Sequence, residues 1–136
     1  MLLRANTPQA VVEDSGSTNV RGIRVIVQQD GHATVEEHNG DKHEIKLNEQ
    51  LCHRLIEEIK EVGPLDNIPA GHCMKSASFG SRITVEFNGA KSPDLTCPGV
   101  SDAHLEALQK DAREVLNAAR DATGIRGRRI FIPPPR

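Results

Sequence analysis

Three cysteines, Cys52, Cys73 and Cys97, and six histidines hold most of the reactive chemistry available to this 136-residue chain. Cys73 and Cys97 flank a hairpin pattern, with Cys97 at the end of its return strand and Cys73 in the loop that leads into its first strand. A disulfide between them would tie that loop down to the sheet. In the chain-entropy account a closed loop of this size contributes on the order of 3 kcal/mol, a large share of a small domain's stability. Such a bond implies an oxidising compartment, although the odd cysteine count leaves one thiol over. The remaining thiol, Cys52, falls beside the apolar stripe of a helical pattern, where a free cysteine behaves as a small buried hydrophobe.

Two other chemistries compete for the same residues. A metal could be held by His72, Cys73 and Cys97, with the Cys52-His53 pair in addition. Structural zinc, however, takes ligands spaced like C-x-x-C or H-x-x-x-H, so that two ligands from one turn converge, and neither spacing occurs here. A Cys73 nucleophile would need a helix N-terminus or a positioned imidazole to form its thiolate, and no pattern in the chain supplies one. His32, His38 and His43 fall in a β-meander and read as surface residues. No catalytic residue, metal ligand or cofactor is therefore expected, and the chain is expected not to be an enzyme.

The loop Met74-Lys-Ser-Ala-Ser-Phe-Gly-Ser81 is the densest collection of small hydroxyl residues. It lacks the G-x-S-x-G elbow and the S-x-x-K spacing that would bring a general base to a serine. Pinned at Cys73, it would present His72, Met74, Lys75, Ser76, Ser78, Phe79 and Ser81 as a preorganised surface, which lowers the entropy lost on binding and is the logic of many small inhibitor loops. Two further matches are weak. Asp14-Ser15-Gly16 fits the D-[ST]-G triplet of aspartic proteases but precedes the first expected strand, so an exposed turn is the expectation. Gly16-Ser17-Thr18-Asn19 could form a small anion-binding turn, with an ordinary turn the plainer reading.

The elements that must position these residues are legible from pattern. Residues 1–21, rich in Asn, Thr, Ser, Pro and Gly, read as a flexible N-terminal segment. Gly22 to Leu47 reads as three short strands joined at Asp30-Gly31 and Asn39-Gly40, both dipeptides suited to tight hairpin turns. Asn48 caps a helix whose stripe is Leu51, Leu55, Ile59 and Val62, ended by Gly63-Pro64. Leu65 to Gly80 is an unusually long connection. Ser81 to Phe87 alternates, Asn88-Gly89 turns the chain, and Ala90 to Cys97 returns, with Pro93 marking an edge or a bulge. Ser101 caps a second helix running to about Thr123 and closed by Gly124, with the stripe Leu105, Leu108, Ala112, Val115, Leu116 and Ala119. Residues 125–136 read as a tail rich in Arg and Pro. The expected fold class is α+β: a mainly antiparallel sheet of about five strands in the order βββ-α-ββ-α, with two helices on one face and the other face in water.

Composition bounds the function. Hydrophobic residues make up 37% and charged residues 26%, which is the balance of a folding globular chain of one domain, residues 22–124. With three Phe and no Trp or Tyr, the core must be aliphatic. A net charge of -2 gives no electrostatic footprint for nucleic acid, and the missing aromatics remove the platforms on which single strands stack. No apolar run is long enough to span a bilayer. The start, Met1 to Ala10, falls short of a secretory signal; if one has been removed, residues 1–21 look like the flexible segment that often follows a cleavage site.

Taken together, Ser15-Gly-Ser-Thr-Asn19, His72-Cys-Met-Lys-Ser-Ala-Ser-Phe-Gly-Ser81 and Ser92-Pro-Asp-Leu-Thr-Cys97 resemble a group of small bacterial proteins of uncharacterised function, many of them exported, over roughly residues 14–118. The resemblance implies the Cys73 to Cys97 disulfide and a periplasmic or secreted location, and it carries no catalytic residues. The layout of elements is also similar to that of the emfourin-type inhibitors of metallopeptidases. The expectation is a non-enzymatic exported domain that binds a protein partner, a peptidase or an envelope protein, with inhibition as the concrete form. The alternatives are a metal- or thiol-dependent enzyme using Cys73, Cys97 and His72, and a structural component of the cell envelope.

Overall fold

Six strands form one antiparallel sheet in the computed structural model, which describes residues 8–17, 21–74 and 81–125. They are β1 Gln9–Asp14, β2 Ile23–Gln28, β3 His32–Glu37, β4 Lys42–Lys46, β5 Ile83–Phe87 and β6 Ala90–Lys91, in the spatial order β4-β3-β2-β1-β5-β6. Helices α1 (Glu49–Val62) and α2 (Ala103–Thr123) complete an α+β fold, with a short 3-10 turn at Leu65–Asn67.

The sheet has one strand more than the five expected, and the extra one is central. Residues 9–14 are not part of a flexible leader. β1 lies between β2 and β5, pairing Val12 with Val25 on one side and with Val85 on the other. The physical reason is a period of two: Ala10, Val12 and Asp14 point inward and are buried, while Gln9, Val11 and Glu13 point out. Only three inward side chains in a segment framed by polar residues carry that signal, and what makes the strand stable is pairing with distant partners.

The inward face continues across the sheet through Ile23, Val25, Val27, Ala33, Val35, Ile83 and Val85, all buried. Against it lie α1 and α2, which pack on each other, α2 also touching β1, β2, β4 and β5. α1 buries Leu51, Cys52, Leu55, Ile56 and Ile59, a stripe wider than the expected one because Cys52 and Ile56 join it. α2 buries its whole expected stripe together with Asp111. Each fully buried aliphatic side chain such as Leu55, Ile56 or Leu108 contributes about 1.5–3 kcal/mol, so the helix-sheet interface is the main source of stability. The opposite face carries a ladder of ions: Lys42 to Glu36 at 3.8 Å, Glu36 to Arg24 at 3.8 Å, and Arg24 to Glu86 at 4.0 Å. Pairs this exposed add little stability and mainly keep the face wet.

The caps explain the helix ends. Asn48 Oδ1 accepts from the Leu51 N–H at 2.9 Å, as expected. At α2 the cap is Asp102 and not Ser101, its Oδ1 accepting from the N–H groups of His104 at 2.8 Å and Leu105 at 3.2 Å. A carboxylate both takes two orphan donors and faces the positive end of the helix dipole, so it wins over the neighbouring hydroxyl. Gly124 closes α2 in the left-handed conformation, and Ile125 after it is buried in the core, not the start of a solvated tail. The Asn88-Gly89 turn has φ of 53° and 81°, the positive values of the hairpin turn that the dipeptide predicts. Residues 126–136 lie outside the described residues.

Candidate functional site: a clipped loop between two grooves

The segment Ser92-Pro-Asp-Leu-Thr-Cys97 does not form the expected return strand. Regular pairing stops at Lys91, leaving β6 as a two-residue edge strand. Pro93 is the cause, since it lacks an N–H and its ring restricts the residue before it. The edge of β5 is nevertheless satisfied, because side chains stand in for main-chain carbonyls. Ser92 Oγ accepts from the Val85 N–H at 3.0 Å and Asp94 Oδ1 accepts from the Ile83 N–H at 3.0 Å. The Ser92 and Leu95 N–H groups return bonds to the carbonyls of Val85 and Ile83, each at 2.8 Å. Leu95 is thereby turned into the core, at 5% exposure, and the chain is bent so that Cys97 faces Cys73.

Cys73 and Cys97 are at disulfide distance and joined, 24 residues apart in sequence with their Cα atoms 6.0 Å apart. Beside the sulfurs, residues 69–71 and 97–99 run antiparallel: Gly71 N–H donates to the Cys97 carbonyl at 3.1 Å, Gly99 N–H donates to the Pro69 carbonyl at 3.2 Å, and Ala70 faces Pro98. The approach is close enough to require two glycines. A Cβ on Gly71 would stand 2.8 Å from the Pro98 oxygen and 2.9 Å from Cys97 Sγ, and one on Gly99 would stand 2.7 Å from the Ala70 oxygen.

This arrangement decides how the sequence-derived candidates are disposed. With their sulfurs bonded to each other, Cys73 and Cys97 offer no thiolate. Cys52 is in the core, with no exposure, and burial pushes its thiol up to about 11. His53, next to it, points the other way into solvent. Among the described residues no group of three His, Cys, Asp or Glu side chains could hold a metal ion. His72 and Cys73 are exposed, Ser81 is partly buried and Met74 is fully exposed. Lys75, Ser76, Ser78 and Phe79 lie outside the described residues.

Two shallow grooves border the clip. One, of about 330 Å³, is lined by Leu95, Pro98, Gly99 and Val100, then by Asp102, Leu105 and Glu106 of the α2 start. The other, of about 200 Å³, runs from the end of α1 at Glu61 and Val62, past Pro64, Ile68 and Pro69, to the same Val100, Asp102 and Leu105. Val100, 39% exposed, stands as a ridge between them. This surface is not legible in the sequence, because its walls come from three separate segments and no local pattern marks it. The one available signal was Pro98-Gly99-Val100, an apolar residue in a turn immediately before a helix cap.

A second polar cluster lies where β1 ends. Asp14 is not in an exposed turn: it is 5% exposed, its Oδ1 accepts from the Gly16 N–H at 2.8 Å and its Oδ2 accepts from Arg120 Nη2 at 3.2 Å. The same nitrogen donates to the Arg21 carbonyl at 2.8 Å. Two strands away, at the end of β3, Glu37 takes His43 Nε2 at 2.8 Å and Arg21 Nη1 at 3.5 Å. Asp14 is thus engaged by Arg120 of α2, which suits it to locking that helix on the sheet and not to the proton sharing of a protease dyad, while the Glu37 contacts tie β3 to β4 and to the segment before β2. Asp14-Ser15-Gly16 therefore acts as the end of a strand, with Ser15 N–H donating to the Arg82 carbonyl and Ser15 Oγ accepting from the Arg82 N–H, both at 2.9 Å. The Gly16 to Asn19 turn is described only as far as Ser17. Comparison with protein-family models, with curated proteins and with solved structures found no match to this chain.

Proposed function

We propose that the protein is an extracytoplasmic binding domain, not an enzyme, and that it engages a protein partner through the loop that Cys73 and Cys97 clip to the sheet edge. The observation that carries this reading is the fully exposed Met74 next to an anchored cysteine. A large apolar side chain held in water at a fixed point is the arrangement of an interface anchor, because fixing the backbone beforehand reduces the ordering entropy that association costs. The crosslink itself supports an oxidising location, since cytosolic thiols are kept reduced. No helix among the described residues is long and apolar enough to cross a membrane. The most concrete form of the reading is a peptidase inhibitor, presenting residues 72–81 to an active-site cleft. Titration of the oxidised protein against a panel of metallo-, serine and cysteine peptidases tests it. Inhibition that is lost in Met74→Asp is the expected result, and no inhibition of any of them at micromolar concentration removes the inhibitor form.

A further inference from the structure

The geometry points to the Val100 ridge and its two flanking grooves as the docking site for an extended, apolar and lysine- or arginine-bearing segment of the protein partner, an inference that rests on the binding reading above. Three observations combine. The first is rigidity. The ridge is held on one side by the disulfide at Cys97 and the Gly99 N–H to Pro69 bond, and on the other by the Asp102 cap, so Val100 is exposed by a backbone fixed at both ends. The second is size: grooves of about 330 and 200 Å³ that share Val100 and Leu105 as walls lie at or below the lower end of small-molecule pockets, and each suits one or two side chains. Side chains of one extended segment that point to the same side could straddle the ridge and enter both grooves.

The third observation is charge. Among the described residues the acidic groups on these walls are Glu61, Asp102 and Glu106, and no lysine or arginine lines either groove. Asp102 is occupied by the helix N–H groups that it caps, and its charge offsets the positive end of α2. Glu61 and Glu106 are exposed and make no ion pair among the described residues, one on each groove. The nearest cation on α1, Lys60, is turned to Glu57 at 3.6 Å. An apolar floor with an unpaired carboxylate on each side selects against acidic segments and favours a basic residue next to each buried side chain.

A peptide array tests this with the full oxidised chain. Decamers with Leu or Val at alternating positions would carry Lys and Arg, Glu and Asp, or only Ser and Thr between them, and binding would be read by fluorescence anisotropy. The basic set is expected to bind at least about tenfold more tightly than the acidic set, more weakly as salt is raised. Val100→Asp is expected to abolish binding, while Glu61→Lys with Glu106→Lys inverts the preference without touching the apolar floor. A thermal melt of each variant separates lost binding from lost folding, and the double lysine variant lies on exposed positions that do not support the core. Equal binding of all three sets, binding that survives Val100→Asp in a folded chain, or no binding of any set overturns the proposal. If peptides fail while a peptidase is still inhibited through Met74, the groove proposal falls and the binding reading stands.

Discussion

Removing the Cys73 to Cys97 bond should cost the fold a substantial part of its stability, and the structure allows the size to be worked out. The bond joins residues 24 apart, for which loop closure in the unfolded chain gives about 12 cal/mol/K, or about 3.5 kcal/mol at 25 °C. Little in the native state opposes that figure, since the hydrogen bonds between residues 69–71 and 97–99 remain when the sulfurs part. Against a total of about 5–15 kcal/mol for a domain of this kind, the loss is large but leaves the chain folded. The measurement is best made in a Cys52→Ala background, because a free thiol can attack the bond once unfolding exposes it. With no Trp or Tyr, urea unfolding must be followed by far-UV circular dichroism. Comparing the oxidised chain with Cys73→Ala/Cys97→Ala, the midpoint should fall by roughly 2 M at an m-value of about 1.5 kcal/mol/M. The m-value itself should rise, because an unfolded chain without the crosslink exposes more surface. A loss of less than about 1 kcal/mol would refute the reasoning: the bond would then be constraining an unfolded state already ordered in this region, and the clip would owe its rigidity to the glycine-lined strand pair alone.

Two further outcomes follow from buried groups. Asp14→Ala leaves Arg120 largely buried with one carbonyl partner and should cost about 3–5 kcal/mol, whereas Asp14→Ala with Arg120→Met should cost less than the sum of the two single changes; chemical denaturation of the four-member cycle checks this, and additive effects would show that the pair is not coupled. Cys52 has its thiol raised by burial from near 9.0 to about 11, so the unfolded chain loses that proton at lower pH than the folded one. Stability contributed by the buried thiol is therefore complete below about pH 9 and is lost as pH climbs from there toward 11. The alkaline fall in denaturation midpoint should flatten in Cys52→Ala, and an unchanged alkaline limb would assign it to other groups.

The helices were legible because everything that defines them is local. Asn48, the four-and-three spacing of Leu51, Leu55 and Ile59, and Gly63-Pro64 lie within one short stretch, and the same holds for α2 up to Gly124. The β2 to β4 meander was legible for the same reason, its turns being announced by Asp30-Gly31 and Asn39-Gly40. β1 was not, although its alternation is regular, because its pairing with β5 is a relation between residues 9–14 and 83–87 that no window contains. Arg120 was invisible for a related reason: its partner Asp14 is 106 residues away, so the triplet around Asp14 looked like a stray turn.

The clip lies between these cases. The position of the two cysteines about a hairpin was enough to favour their pairing, but not to show how Ser92-Pro-Asp-Leu-Thr-Cys97 brings Cys97 into reach. Pro93 reads as a strand defect, and it is one. Its consequence is that Ser92 Oγ and Asp94 Oδ1 take over the ladder from the main chain, so the segment can leave the sheet without stranding the N–H groups of Val85 and Ile83. Freed from strand geometry, the same backbone turns Leu95 inward, directs Cys97 to Cys73, and carries Val100 out to the surface before Asp102 starts the helix. The defect in the strand, the crosslink and the exposed ridge are therefore one device. Restoring a regular strand there would remove the candidate surface along with the irregularity.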